Sequence, residues 1–114
     1  MIRTKRIYEP PANGDGCRVL IDRIWPRGMS KQRAEIAHWL KDVAPSTPLR
    51  EWFGHDPKKW RTFVVRYRSE LRQRPSALRA LRELARQHDT VTLLYAARDV
   101  QHNNAVALQR IMRT

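Results

Sequence analysis

Disulfide chemistry, membrane-spanning runs and phosphate-cradling glycine loops are all missing from this chain of 114 residues. Its single cysteine, Cys17, excludes an intramolecular disulfide and fits a reducing cytoplasm. No apolar run approaches the about 20 residues that a membrane span needs. The start, MIRTKRIYEPP, is basic but lacks the apolar stretch of a secretory signal. No nucleophile elbow, P-loop, dinucleotide fingerprint, HExxH or paired CxxC occurs, so neither a cofactor nor a metal is expected. Negative charge is scarce too: 11 Asp and Glu face 23 Lys and Arg, for a net charge of +12.

What is present is enough for one small domain spanning 1–114. Hydrophobic residues make up 41% of the chain and four of them are Trp, sufficient for a modest core. The cationic excess lies in 18 Arg against five Lys, a bias that genome base composition alone can produce. A basic surface attracts phosphates by counterion release, yet net charge speaks to association and solubility rather than to a specific partner.

Along the chain, residues 1–16 are polar and end in the turn-forming Asn13-Gly14-Asp15-Gly16, with Ile7 and Tyr8 as a short extended segment before it. The apolar run Val19-Leu20-Ile21 within 17–22 predicts a strand covered on both faces. Pro26 and Gly28 end it. Ser30 caps a short helix, while 36–40 is ambiguous between helix end and strand. Thr47 before Pro48 predicts the cap of a second short helix through Phe53, stopped by Gly54. Asp56-Pro57 then opens an amphipathic helix with the stripe Trp60, Phe63, Val64, Tyr67 and Leu71. Another follows Pro75-Ser76, with Leu78, Leu81 and Ala85 inward. The run TVTLLY at 90–95 predicts a second strand, and Asp99 the cap of a terminal helix. This order implies an α/β domain: a short, mostly parallel sheet covered by helices.

Ligands of open parallel sheets lie beyond the carboxyl ends of the strands. If 17–22 and 90–95 are parallel, the loops 23–28 and 96–104 share one edge of the sheet. That edge gathers Asp22, Arg23, Trp25, Arg27, Tyr95, Arg98, His102 and Asn103.

The strings RVLIDRIWPRGMSK, WLKDVAPSTPLREWFGHDPKKW and VTLLYAARDVQHNNAVAL closely resemble the family called domain of unknown function 488, in its YeaO-like branch. The resemblance runs from about Ile7 to the last helix. It implies a compact α/β domain and supplies no activity. His38 stands where the family pattern would have an acidic residue, and Cys17 where an aromatic is common, so a thiol mechanism general to the family is not implied.

Each site residue has two readings. Arg23, Arg27 and Arg98, with Asn103, suit an anion, since guanidinium groups grip phosphate or carboxylate through two parallel hydrogen bonds; the alternative for Arg23 is an internal ion pair with Asp56 or Asp99. His102 is placed to transfer a proton or to make a structural hydrogen bond. His55 and Asp22 are candidate assistants in catalysis, while Asp56 is explained as a cap. Trp25 and Tyr95 are candidates to stack on a ring, and Trp25 equally suits packing back onto the core. The expected function is a pocket for a small anionic ligand or nucleotide, with enzymatic turnover left open. The alternative is a nucleic-acid-binding protein using the arginine-rich helices, including Arg79, Arg82 and Arg86.

Overall fold

The computed structural model describes residues 1–113. Four strands, β1 (Ile2–Arg6), β2 (Cys17–Leu20), β3 (His38–Trp39) and β4 (Val91–Tyr95), form one sheet in the order β1-β4-β2-β3, and every neighbouring pair is parallel. The helices are α1 (Lys31–Ala34), α2 (Thr47–Phe53), α3 (Trp60–Arg72), α4 (Pro75–Gln87) and α5 (Asn104–Arg113). The expected α/β class and the parallel pairing of the two apolar strands are both realised. None of the helices is long and apolar enough to cross a membrane.

Strand alternation divides the core into two layers. Cys17, Val19 and Ile21 on one strand, with Val91, Leu93 and Tyr95 on the other, pack against the stripe Trp60, Phe63, Tyr67 and Leu71 of α3 and against Leu81 and Leu108. Leu20 and Leu94 point the other way, onto Ile7, Met29 and Ala34. With helices on one face and α1 and its loops on the other, β2 and β4 are buried from both sides, which is why they read as continuous apolar runs. Tyr67 anchors the helical layer by donating its hydroxyl to the carbonyl of Val43.

Three local expectations change, and one open choice is resolved. The extended segment expected at Ile7 and Tyr8 lies in a turn, and the strand falls before it: β1 pairs along its whole length with β4, from Ile2 opposite Val91 to Arg6 opposite Tyr95. The ambiguous 36–40 segment contains the two-residue β3. The cap of α2 is Ser46 rather than Thr47: its Oγ accepts from Leu49 N at 3.2 Å and donates to Glu70 Oε2 at 2.5 Å. The last helix starts at Asn104, with Asn103 Oδ1 accepting from Val106 N at 3.0 Å, while Asp99 closes the turn before it.

Beneath the sheet's opening end, Asp15 joins three segments. Its Oδ2 accepts from Arg18 Nη1 at 2.6 Å and from Lys5 Nζ and Ala12 N at 3.0 Å. Burial works to raise this carboxyl's pKa, but the hydrogen bonds from Ala12, Lys5 and Arg18 outweigh it and hold the group below its ordinary value.

Candidate cleft at the carboxyl ends of the strands

A cleft of about 870 Å³ opens where β2 and β4 end. Such a volume lies within the range of small-molecule sites. Its walls come from the loops after β2 and β4, from α2 and the turn after it, and from the start of α5. Parallel pairing of β2 with β4 puts both loops on one edge, so the site follows from sheet topology.

Asp22 sits half-buried in this cleft. Its Oδ2 accepts from Ala96 N at 2.9 Å and its Oδ1 from Asn104 Nδ2 at 2.9 Å; the same amide also reaches the carbonyl of Ile21. The carboxylate thus ties the end of β2 to the end of β4 and to α5. Burial raises its pKa above the ordinary carboxylate value, against the lowering by Asn104, by Ala96 N–H and by the nearby Arg50 and His55.

Arg23 lines the cleft, yet its guanidinium is turned to main chain, with Nη2 donating to Ala44 O at 3.3 Å and Nε to Pro45 O at 3.5 Å. It pairs with neither Asp56 nor Asp99. Arg27 and Arg98 are exposed at the rim. So is Arg50, on the outer side of α2, which the sequence did not single out. The guanidinium groups of Arg27, Arg50 and Arg98 have no hydrogen-bond or ion-pair partner among the described residues. His55, whose backbone is in the left-handed region at φ 58°, also lines the cleft, as does the buried and hydrogen-bonded Asn103.

Trp25 lines the cleft as a fixed wall. Its Nε1 donates to Met29 O at 2.6 Å, and its ring stands edge-on to Trp39 with centroids 5.2 Å apart. Two residues expected at the site lie outside it. Tyr95 is the last inward residue of β4 and only 2% exposed, so it is not available to stack on a ligand; burial pushes its phenol up. His102 is turned away: its Nδ1 lies 3.0 Å from Asp99 Oδ2 and its ring is 5.3 Å from Trp60, edge-on. Backbone hydrogen bonds from Gln101 and His102 to Asp99, together with the His102 side chain, lower the Asp99 carboxyl. These bonds, with that from Val106 N to Asn103, engage the amides of Gln101 and His102 just before α5 and that of Val106 in its first turn.

The family described as the inactive DUF488-N3 subclade matches residues 1–114. The chain is a DUF488 protein. It is 36% identical over 113 residues to the uncharacterized protein YeaO of Escherichia coli (strain K12), covering 99% of this chain and 97% of that one. It is 41% identical over 111 residues to the uncharacterized proteins Rv3073c of Mycobacterium tuberculosis (strain ATCC 25618 / H37Rv) and Mb3100c of Mycobacterium bovis (strain ATCC BAA-935 / AF2122/97), covering 97% of this chain and 92% of each. No solved structure matches. Among the described residues of this DUF488 domain, no group of three or more His, Cys, Asp or Glu is disposed to hold a metal ion.

Proposed function

We propose that this DUF488 domain binds a small anion in the cleft at the carboxyl ends of β2 and β4. The observation that carries the reading is that Arg27, Arg50 and Arg98 all line one apolar-walled opening with no hydrogen bond or close ion pair to their guanidinium groups among the described residues, Arg50 alone lying near a carboxylate, that of Asp22. A phosphate or carboxylate entering there gains charge-assisted hydrogen bonds from whichever of these guanidinium groups it reaches. Arg23 and Asn103 then act as wall and cap rather than as the grip. Binding without turnover is favoured by the family's description as inactive and by His102, which is engaged with Asp99 instead of facing the cleft.

Inorganic phosphate or pyrophosphate should raise the melting temperature saturably. Arg98→Ala or Arg27→Ala should weaken that binding about tenfold, the effect of one lost charge-assisted hydrogen bond, while Arg79→Ala on α4 should leave it unchanged. Equal responses from Arg98→Ala, Arg27→Ala and Arg79→Ala would remove the cleft from consideration.

A second reading, nucleic-acid binding, draws on a separate shallow groove of about 370 Å³ between α3 and α4, where Arg68, Arg72, Arg79 and Arg82 surround Leu71 and Leu78. It predicts DNA or RNA affinity that falls steeply with salt and is weakened by Arg79→Ala and Arg82→Ala. Absence of binding near physiological salt would exclude it.

A further inference from the structure

Resting on the anion-binding reading, one feature of the cleft decides what else the ligand must carry. Asp22 lines the same cleft as the three rim arginines, and a bare phosphate entering there meets its carboxylate as well as their charge. A carboxylate oxygen accepts about two hydrogen bonds. Each Asp22 oxygen takes one protein donor, Asn104 Nδ2 on Oδ1 and Ala96 N on Oδ2, so each retains capacity for another. Those two bonds also fix the carboxylate in place before a ligand arrives.

The same cleft has an apolar wall in the half-buried Trp25, which is held by Met29 and Trp39. A flat ring can rest on such a wall without first ordering it. The cleft's volume is also far more than an inorganic anion fills.

We propose that the ligand is a nucleoside monophosphate whose base offers two adjacent N–H donors to Asp22, the guanine type, with its phosphate among Arg27, Arg50 and Arg98. Guanine presents a ring N–H beside an exocyclic amine, which match the two oxygens of one carboxylate. Adenine presents an acceptor beside a single donor, so its acceptor would face the carboxylate. Hypoxanthine keeps the ring N–H and lacks the amine.

The test is calorimetric titration of the full chain with inorganic phosphate and with guanosine, inosine and adenosine 5′-monophosphates. The expected order is guanosine, then inosine, then adenosine, with guanosine at least about tenfold tighter than adenosine, the usual scale for a missing partner to a buried polar group. Asp22→Asn should abolish that preference and bind phosphate at least as tightly as the unmodified chain, because it removes a repelling charge; a purely structural role would weaken both. Adenosine and guanosine monophosphates binding equally, with phosphate still bound through Arg98, overturns the base assignment and leaves the anion cleft standing. So does Asp22→Asn losing phosphate and nucleotide alike. If no anion in the series binds, both readings fall.

Discussion

Asp15→Ala is expected to cost about 3–5 kcal/mol, the scale for stripping one partner from a buried ion pair, and to lower the melting temperature by roughly 10–20 °C for a domain of this size. The loss is large because of what stays behind. Arg18 is 6% exposed, and without the carboxylate its guanidinium keeps only the carbonyls of Ala34 and Glu35. Lys5 loses its ion pair and Ala12 N its acceptor. Chemical denaturation followed by circular dichroism reads the difference, and a change below about 1 kcal/mol would mean the cluster is not the buried pair its distances indicate. The pH dependence has a definite sign. Because the folded-state carboxyl lies below its ordinary value of 3.8, its contribution is fully present above that value and is lost as pH falls through the folded value. The acid limb of the stability curve should therefore flatten in Asp15→Ala.

The second large effect is expected at the next residue. Gly16 has φ 63°, and a Cβ built there would lie 2.3 Å from the carbonyl oxygen of Thr90. The same oxygen accepts the hydrogen bond of Cys17 N at 2.9 Å, where β2 first meets β4. Gly16→Ala must therefore push β2 off β4 at the start of their ladder, in addition to the strain of a left-handed backbone. A loss of about 3 kcal/mol or more is expected. Gly28→Ala separates the two causes. Its φ is 74° with nothing near a built Cβ, so it should show only the conformational part, about 1 kcal/mol. Similar losses in Gly16→Ala and Gly28→Ala would show that Thr90 gives way.

These two residues explain why the fold was only partly legible in the sequence. β2, β4 and α3 announce themselves because they bury continuous runs or stripes. β1 reads Ile-Arg-Thr-Lys-Arg, since an edge strand needs backbone partners on one side only and its Lys5 and Arg6 find polar partners in Asp15 and in the carbonyls of Ala96 and Ala97. Nothing in the spacing shows that Lys5 and Arg18 meet at Asp15, a contact made by three segments after folding.

At the cleft, topology did the predictive work. Placing the two strands in parallel brings Asp22, Arg27, Arg98 and Asn103 to one opening. Side-chain direction was the part that composition hides. Tyr95 shares the inward parity of Val91 and Leu93, and counting by twos from Val91 would have placed it in the core. His102 needed the knowledge that Asp99 closes a turn three residues earlier. Arg50 looked like the other exposed helical arginines. Only the approach of α2 to the end of β2 distinguishes it.

The strand order carries one more consequence. β4, last in the chain, lies between β1 and β2, which do not pair with each other. A ribosome releases β1 and β2 before their shared partner exists, so the sheet cannot close until Tyr95 has cleared the exit tunnel. The edges of β1 and β2 that meet β4 therefore stay open until that strand has been made.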